Sequence, residues 1–432
     1  MDASAYSAQN RYGIVGGGIS GNAAKRLFRA LGAEAPWVYD RQAAQGDYVD
    51  EKLFLADVRP THLVVSPGVP LSTPWIQDFA RAGGHITSEL ALAFETLAGE
   101  RIVGVTGSLG KSTTVSLVGA AARAAGFEVF VGGNLGEPLA AYAADALAGR
   151  RPRADWIGLE LSSYQLENAG RLRCEASVIT YLSPNHLERY ASLEDYYAVK
   201  ETLCARTARF VALNENGGDL RARAAKLPGF AEKLWASRHS PVLGEWAREL
   251  RLVGSHNRDN VALVAALAEK LGWDHGYRRG LAEFPGLAHR LEDLGLFGGV
   301  RFVNDSKGTS MDSVETALSA ALESSAPRIW CLLGGKDKKL PWAQLAERLR
   351  DPRLKPVYFG ECRETARAGV GRDGESFATL AAALAGLVAR VAAEDWVVMS
   401  PGGTSLDEFR NFEERGEFFR RFVKESFGKE MK

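Results

Sequence analysis

Residues 106–114 read Thr-Gly-Ser-Leu-Gly-Lys-Ser-Thr-Thr, a glycine-rich stretch closed by a Lys-Ser pair, and that combination is built for phosphate. Glycines leave backbone N–H groups free to meet phosphate oxygens, and a helix N-terminus adds the positive end of its dipole. Lys111 supplies a mobile charge and Ser112 a hydroxyl for Mg2+. The spacing is not that of the commonest phosphate loop, which has a glycine five positions before the Gly-Lys pair. Val105 stands there, and the glycines present are Gly104, Gly107 and Gly110. Further along, Glu160 ends the apolar run DWIGL, where a carboxylate could hold Mg2+ on nucleotide phosphates or simply be solvated. His186 follows the apolar run ASVITYL, placing it at a third strand end on the same side, although a lone histidine is often structural. Lys200, in LEDYYAVKETLC, reads from its spacing as an exposed helical lysine. His256, Asn257 and Asn260 open a helical run, where such residues act as caps. Near the start, Gly16, Gly18 and Gly21 fit G-x-G-x-x-G, with Asp40 after the second apolar run. That pattern suits a dinucleotide, the diphosphate of another nucleotide, or a tight βα turn.

These residues must be carried by strands and helices in alternation. Apolar runs such as YGIV, PWVYD, THLVVS, RIVGVTG and ASVITYL alternate with amphipathic helical runs, the pattern of parallel sheets covered by helices. The chain is therefore expected to be α/β with three domains. Residues 1–98 would form an N-terminal Rossmann-like domain, 99–285 a central P-loop-type domain with a mostly parallel sheet, and 286–432 a C-terminal Rossmann-like domain. In the last, strands are expected in GVRFVNDS, RIWCLLGG, KPVYFGE and DWVVMSPG, and a helix over ESFATLAAALAGLVARVAA.

Composition narrows the partners. Lysine plus arginine equals aspartate plus glutamate at 53 each in 432 residues, so no excess of positive charge favours nucleic acid or an anionic membrane. The four cysteines show no C-x-x-C pairing, as for buried thiols in a reducing compartment. The opening MDASAYSAQNR has no basic segment followed by an apolar core, and no run of about 18 apolar residues occurs. A cytoplasmic protein acting on small molecules, without membrane insertion, is expected.

The spacing T-G-x-x-G-K-S resembles the ATP loop of the Mur ligase family, ATP-dependent amide-bond-forming enzymes of peptidoglycan precursor synthesis. LELSSYQL (159–166), NHLER (185–189) and GGNLGEPL (132–139) are similar to segments of its D-glutamate-adding branch, as is NDSKGTS (304–310) to that branch's N-D-S-K-A-T-N. The L-alanine-adding branch would instead show D-Y-A-H-H-P there. Two rivals stand beside it: a folylpolyglutamate-synthase-like ligase, which begins with its ATPase domain whereas here a whole block precedes the loop, and a non-catalytic nucleotide-binding regulator, which steady ADP release requiring both acceptor and D-glutamate would exclude.

The resemblance implies ATP as co-substrate with Mg2+, UDP-N-acetylmuramoyl-L-alanine and D-glutamate as the other substrates, and a monomer. It assigns Gly107, Ser108, Gly110, Lys111, Ser112, Thr113, Asn257, Asn260, Arg290 and Asp305 to ATP. Ile19, Ser20, Asp40, Arg41, Ser66 and Asn134 go to the UDP-sugar, and Thr309, Lys338, Ser405 and Phe412 to D-glutamate, with Lys307 near the reacting groups. By the same resemblance Lys111, Glu160, His186 and Lys200 are catalytic. Ser112 and Glu160 would hold one metal, His186 and a carbamylated Lys200 a second. Two departures stand out: Leu109 replaces a polar loop residue, and Asn185 and Glu188 replace two aspartates.

Overall fold

The computed structural model describes residues 10–184 and 189–428. Its architecture is α/β, built on three sheets that follow one another along the chain. The first has four parallel strands, β1 (Tyr12–Val15), β2 (Trp37–Tyr39), β3 (His62–Val65) and β4 (His85–Thr87), in the order β2-β1-β3-β4. The second has six parallel strands: β5 (Arg101–Thr106), β6 (Val129–Gly133), β7 (Trp156–Glu160), β8 (Cys174–Ile179), β9 (Thr207–Asn214) and β10 (Glu232–Ala236). Their order is β10-β9-β8-β5-β7-β6. The chain departs from β5 to either side, so β5 lies at the switch point, where a crevice opens beyond the strand C-termini. The phosphate-loop stretch is the turn that leaves β5 there.

The third sheet holds β11 (Glu292–Phe297), β12 (Val300–Asn304), β13 (Ile329–Gly334), β14 (Leu354–Phe359), β15 (Glu375–Phe377) and β16 (Trp396–Gly402), ordered β11-β12-β16-β13-β14-β15. Only the β11–β12 hairpin is antiparallel. The expected long helix over ESFATLAAALAGLVARVAA is shorter. Glu375–Phe377 pairs in parallel with Val357–Phe359, and the helix occupies Leu380–Val388 alone. Thr379 sets the start, its hydroxyl accepting the Ala382 N–H at 3.2 Å. The strand β11, not foreseen from the sequence, has only half-buried or exposed residues and so lacks a clear apolar signature.

By internal contacts the chain divides into two compact units, Met1–Ala247 with Asp259–Ala282, and Arg248–Arg258 with Glu283–Lys432. Within the first unit one apolar core runs from the first sheet into the second, from Ile14, Leu27 and Phe28 through Leu139, Tyr142 and Ala144 to Leu159 and Leu203. Helix Ile19–Ala30 meets helix Leu139–Leu147, whose LAAYAADAL sequence combines the best helix former with side chains small enough for close approach. Among the described residues no helix is long and apolar enough to cross a membrane.

The segment joining the two sheets is sewn to both neighbouring loops. Ser88 caps helix Glu89–Phe94 and donates from its hydroxyl to the Asn168 carbonyl at 2.6 Å. Glu89 is buried, accepts the Ala140 N–H at 3.1 Å through Oε2, and leaves Oε1 without a partner among the described residues. Burial lifts its carboxyl from 4.5 to about 7. A folded value above the unfolded one favours the protonated form, so the stability it brings is complete below pH 4.5 and is lost as pH rises through about 7. Glu89→Gln, which cannot ionise, is therefore expected to gain on wild type by up to about 3 kcal/mol between acid and mildly alkaline pH. Urea unfolding of both proteins across that range measures it, and a gap independent of pH would contradict the assignment.

Candidate active site

The turn after β5 owes its shape to Gly107. Its φ is +150°, and a Cβ there would lie 2.1 Å from Thr180 Oγ1 and 3.0 Å from the Tyr181 nitrogen. Only glycine tolerates both the conformation and the approach. The turn is braced from β8 and beyond: the Ser108 N–H donates to the Tyr181 carbonyl at 2.6 Å, and the Thr180 hydroxyl donates to the Leu109 carbonyl at 2.5 Å. Ser108 Oγ donates to the Ser183 carbonyl at 2.9 Å and lies 3.1 Å from the Tyr196 hydroxyl. Leu109 thus contributes through its backbone, which a change of side chain leaves intact. Helix Lys111–Ala124 follows with no side chain capping it and no acid in its first turn, so its N-terminus is suited to an anion.

Two lysines converge on this turn. Lys111 Nζ donates to the carbonyls of Gly107 (2.9 Å) and Ser108 (3.2 Å), and Lys200 Nζ donates to the same Gly107 carbonyl at 2.9 Å. Lys200 is 2% exposed, not the exposed helical lysine that its spacing suggested. Its helix, Leu193–Ala205, turns Tyr196 and Lys200 together under the loop, with the ammonium 4.8 Å from the Tyr196 ring centre. On another side Glu201 pairs with the Arg223 guanidinium, and the Tyr197 hydroxyl donates to Asp219 at 2.6 Å. Burial first, then the neighbouring Lys111 charge, push the Lys200 amine well below its ordinary range, with Glu160 opposing them. Both effects disfavour the charged form of the amine.

Glu160, the last residue of β7, is 2% exposed. Oε1 accepts from the Asn134 side-chain amide at 2.7 Å, and Oε2 is buried with no hydrogen-bond partner among the described residues. A buried carboxylate oxygen left unsatisfied is costly unless something arrives to meet it. With the Ser112 hydroxyl at the helix start, the donor set is all oxygen, which fits Mg2+. Among the described residues no cluster of three or more His, Cys, Asp or Glu forms. His186, Asn185 and Glu188 lie outside the described residues.

The remaining positions group by unit. In the first unit Asn260 approaches the phosphate turn, 3.1 Å from where a Gly110 Cβ would stand, and Thr113 lies in the helix's first turn. Ile19 is 74% exposed at the start of its helix, and Ser20 follows it. Ser66 Oγ donates to the Gly16 carbonyl at 2.8 Å. Asp40 accepts the Gly17 N–H at 2.8 Å and the Gln42 N–H at 2.8 Å, so both its oxygens hold the chain's own turn; Arg41 beside it is exposed.

In the second unit Lys338 Nζ donates to the Thr309 carbonyl at 2.6 Å, and Lys307 Nζ sits 3.7 Å over the Phe412 ring. Ser405 is buried and Phe412 opens helix Phe412–Phe427. Asp305 is buried, its oxygens taken by the Ser400 hydroxyl (2.6 Å) and the Leu291 N–H (3.1 Å), and burial raises its carboxyl to about 7. Arg290 precedes that Leu291, and the Asn257 amide donates to the Val253 carbonyl at 2.8 Å.

Sequence reasoning missed Thr180, Tyr196 and Ser183, which hold the turn. Tyr196 carried a signal, since it stands four residues before Lys200 on one helix face. Thr180 and Ser183 carried none, because only the pairing of β5 with β8 brings them near. Gly107→Ala is expected to lower stability by about 1–3 kcal/mol and to abolish nucleotide binding, since the new methyl group displaces Thr180 or the turn. Thermal unfolding and ATP calorimetry check it; an unchanged Tm with wild-type affinity would contradict the packing described.

Comparison with known proteins bears on the family. The Mur ligase middle domain matches residues 105–268, and the Mur ligase glutamate ligase domain matches residues 289–403. The UDP-N-acetylmuramoylalanine–D-glutamate ligase of Myxococcus xanthus is 36% identical over 94% of this chain and 96% of that protein. The one of Gloeobacter violaceus is 34% identical over 95% and 98%. Among solved structures, the UDP-N-acetylmuramoylalanyl-D-glutamyl-2,6-diaminopimelate–D-alanyl-D-alanyl ligase from Acinetobacter baumannii aligns with a TM-score of 0.59. It covers 93% of this chain and 98% of that one at 14% identity, a likeness of fold. E. coli FolC, in complex with DHPP and ADP, aligns with a TM-score of 0.57 over 83% and 99%, at 16% identity. With both family domains present and relatives matched over nearly the whole chain, the protein belongs to the Mur ligase family of ATP-dependent amide-bond-forming enzymes.

Proposed function

We propose that this chain joins D-glutamate to UDP-N-acetylmuramoyl-L-alanine, splitting ATP to ADP and phosphate. The observation that carries the reading is the convergence of Lys111, Lys200 and the unsatisfied Glu160 oxygen around the turn after β5. Residues 1–98 would take the UDP-sugar through Ile19, Ser20, Asp40, Arg41 and Ser66, with Asn134 from the next sheet. Residues 99–285 would take ATP, and 286–432 the amino acid through Thr309, Lys338, Ser405 and Phe412. A dicarboxylic amino acid needs cations and hydroxyls, and these residues offer both. The enzyme would act as a cytoplasmic monomer.

The reaction is two displacements. The acceptor carboxylate attacks the γ-phosphorus, the bond to ADP breaks, and an acyl phosphate results. The D-glutamate amine then attacks the acyl carbon, phosphate departs with the electron pair, and the amine proton is lost to a base. The first step opposes like charges, so the protein's part is to neutralise and position them. Lys111 would exchange its two carbonyl partners for phosphate oxygens, and the uncapped helix N-terminus would add N–H donors. Asn134 holds Glu160 in place. Ser112 and Glu160 would hold Mg2+, which when bound offsets triphosphate charge. A neutral Lys200 amine would attack CO2: an N–C bond forms as one C–O π bond opens onto oxygen, and the nitrogen loses one proton, giving a carbamate with anionic oxygens. His186 would complete that second donor set.

Phosphate release tests the reading directly, with ATP, Mg2+ and UDP-N-acetylmuramoyl-L-alanine presented to a panel of D- and L-amino acids. Release is expected with D-glutamate, together with a product heavier than the acceptor by one glutamyl residue. Turnover with another amino acid alone, or with UDP-N-acetylmuramate and L-alanine, would move the chain to a different branch.

A further inference from the structure

The segment after His186 contains a residue that the mechanism leaves unused. Arg189 is largely buried, with 11% of its side chain exposed against 16% for Glu167. Its Nε and Nη2 donate to Glu167 Oε1 (3.2 Å) and Oε2 (2.6 Å), a two-toothed fork that the Tyr190 hydroxyl extends by donating to Oε1 at 2.6 Å. The guanidinium carbon lies 4.0 Å from the Tyr164 ring centre. The third nitrogen, Nη1, crosses to the first sheet and donates to the Pro67 carbonyl at 3.1 Å. One planar cation therefore ties the turn after β3 to helix Ser163–Glu167, which follows β7 and Glu160.

What lies at each end of this tie gives it meaning. Ser66, next to Pro67, donates its N–H to the Val15 carbonyl at 2.9 Å and its hydroxyl to the Gly16 carbonyl at 2.8 Å. Gly16 has φ +95°, and a Cβ there would stand 2.8 Å from Ser66 Cβ, so the two turns move as one body. That body carries the Gly16–Gly18 turn and the uncapped start of helix Ile19–Ala30. At the other end, the Tyr190 ring lies 5.4 Å from that of Tyr196, whose hydroxyl is 3.1 Å from Ser108 Oγ in the phosphate turn.

We infer that Arg189 is a positioning residue for the sugar nucleotide, setting the separation between the glycine turn of the first sheet and the phosphate turn and Glu160 of the second. The inference rests on the proposed assignment of the first sheet to the UDP-sugar. A long acceptor gripped at its uridine end must deliver its carboxylate to ATP at the other end, and a misplacement of about 1 Å costs on the order of 100-fold in rate. A lysine could not substitute, because an ammonium lacks the planar fork that reaches a carboxylate and a carbonyl together.

The test compares Arg189→Met, Arg189→Lys and Glu167→Gln by steady-state kinetics, with each substrate varied in turn. Arg189→Met is expected to raise KM for UDP-N-acetylmuramoyl-L-alanine roughly tenfold and to lower kcat, with KM for ATP and D-glutamate within about twofold of wild type. Arg189→Lys should resemble Arg189→Met, since charge without the fork is not enough. Glu167→Gln keeps one acceptor, should fall between, and reports the effect should Arg189→Met fail to fold. An unchanged sugar-nucleotide KM in a folded variant would overturn the inference, as would equal rises in all three KM values, which mark a general loosening. A wild-type protein that does not bind UDP-N-acetylmuramoyl-L-alanine would overturn the functional assignment itself, and this role with it.

Discussion

A single backbone oxygen, the Gly107 carbonyl, accepts hydrogen bonds from both Lys111 and Lys200, and the rest of the first unit is arranged so that this can happen. Two ammonium groups on one acceptor repel each other, and burial adds to the cost of keeping both charged. The strain is relieved at Lys200, whose amine is driven toward its neutral form. The carboxylate opposing them is Glu160, buried with one oxygen satisfied by Asn134 and the other by no partner among the described residues. A site that gathers cations, an uncapped helix and an unsatisfied carboxylate oxygen is incomplete by itself. A polyanion such as ATP would meet the lysines and the helix N-terminus.

The scaffold supports that arrangement by placing its unusual residues at strand ends. β5, β7 and β8 lie side by side, and their C-terminal ends deliver Gly107, Glu160 and Thr180 to one edge of the sheet. The apolar core shared by the first and second sheets, with the ties made by Ser88, Glu89 and Arg189, fixes the glycine turn of the first sheet relative to this edge. The second unit builds its own polar cluster from the loops after β12, β13 and β16, where Thr309, Lys338 and Ser405 lie.

Much of this was legible in the sequence, and the parts that were not share a physical reason. The phosphate turn could be read because its chemistry is contiguous: Gly107, Lys111 and Ser112 lie within six positions, between a strand and a helix. Glu160 could be placed at a strand end, but its missing partner depends on how Asn134 folds back from β6. The burial of Lys200 was not legible because LEDYYAVKETLC is polar on most of its faces. Its burial comes from Tyr196, and from Glu201 and Tyr197 fastening to Arg223 and Asp219 more than twenty residues away. Glu375–Phe377 was mistaken for helix since its pairing with β14 overrides local preference. Asp40 could be placed after β2, but that its carboxylate accepts the Gly17 and Gln42 N–H groups depends on how the two turns meet.

Under the proposed function Lys200, buried beside the phosphate turn, would take up CO2 and serve as an anionic metal ligand. Carbon-13 NMR of the active enzyme equilibrated with labelled bicarbonate and Mg2+ measures this at the atom concerned. The account predicts a protein-bound carbamate resonance that disappears in Lys200→Ala and persists in Lys111→Ala. An active, metal-loaded enzyme with no such resonance, or one that survives the loss of Lys200, would contradict it.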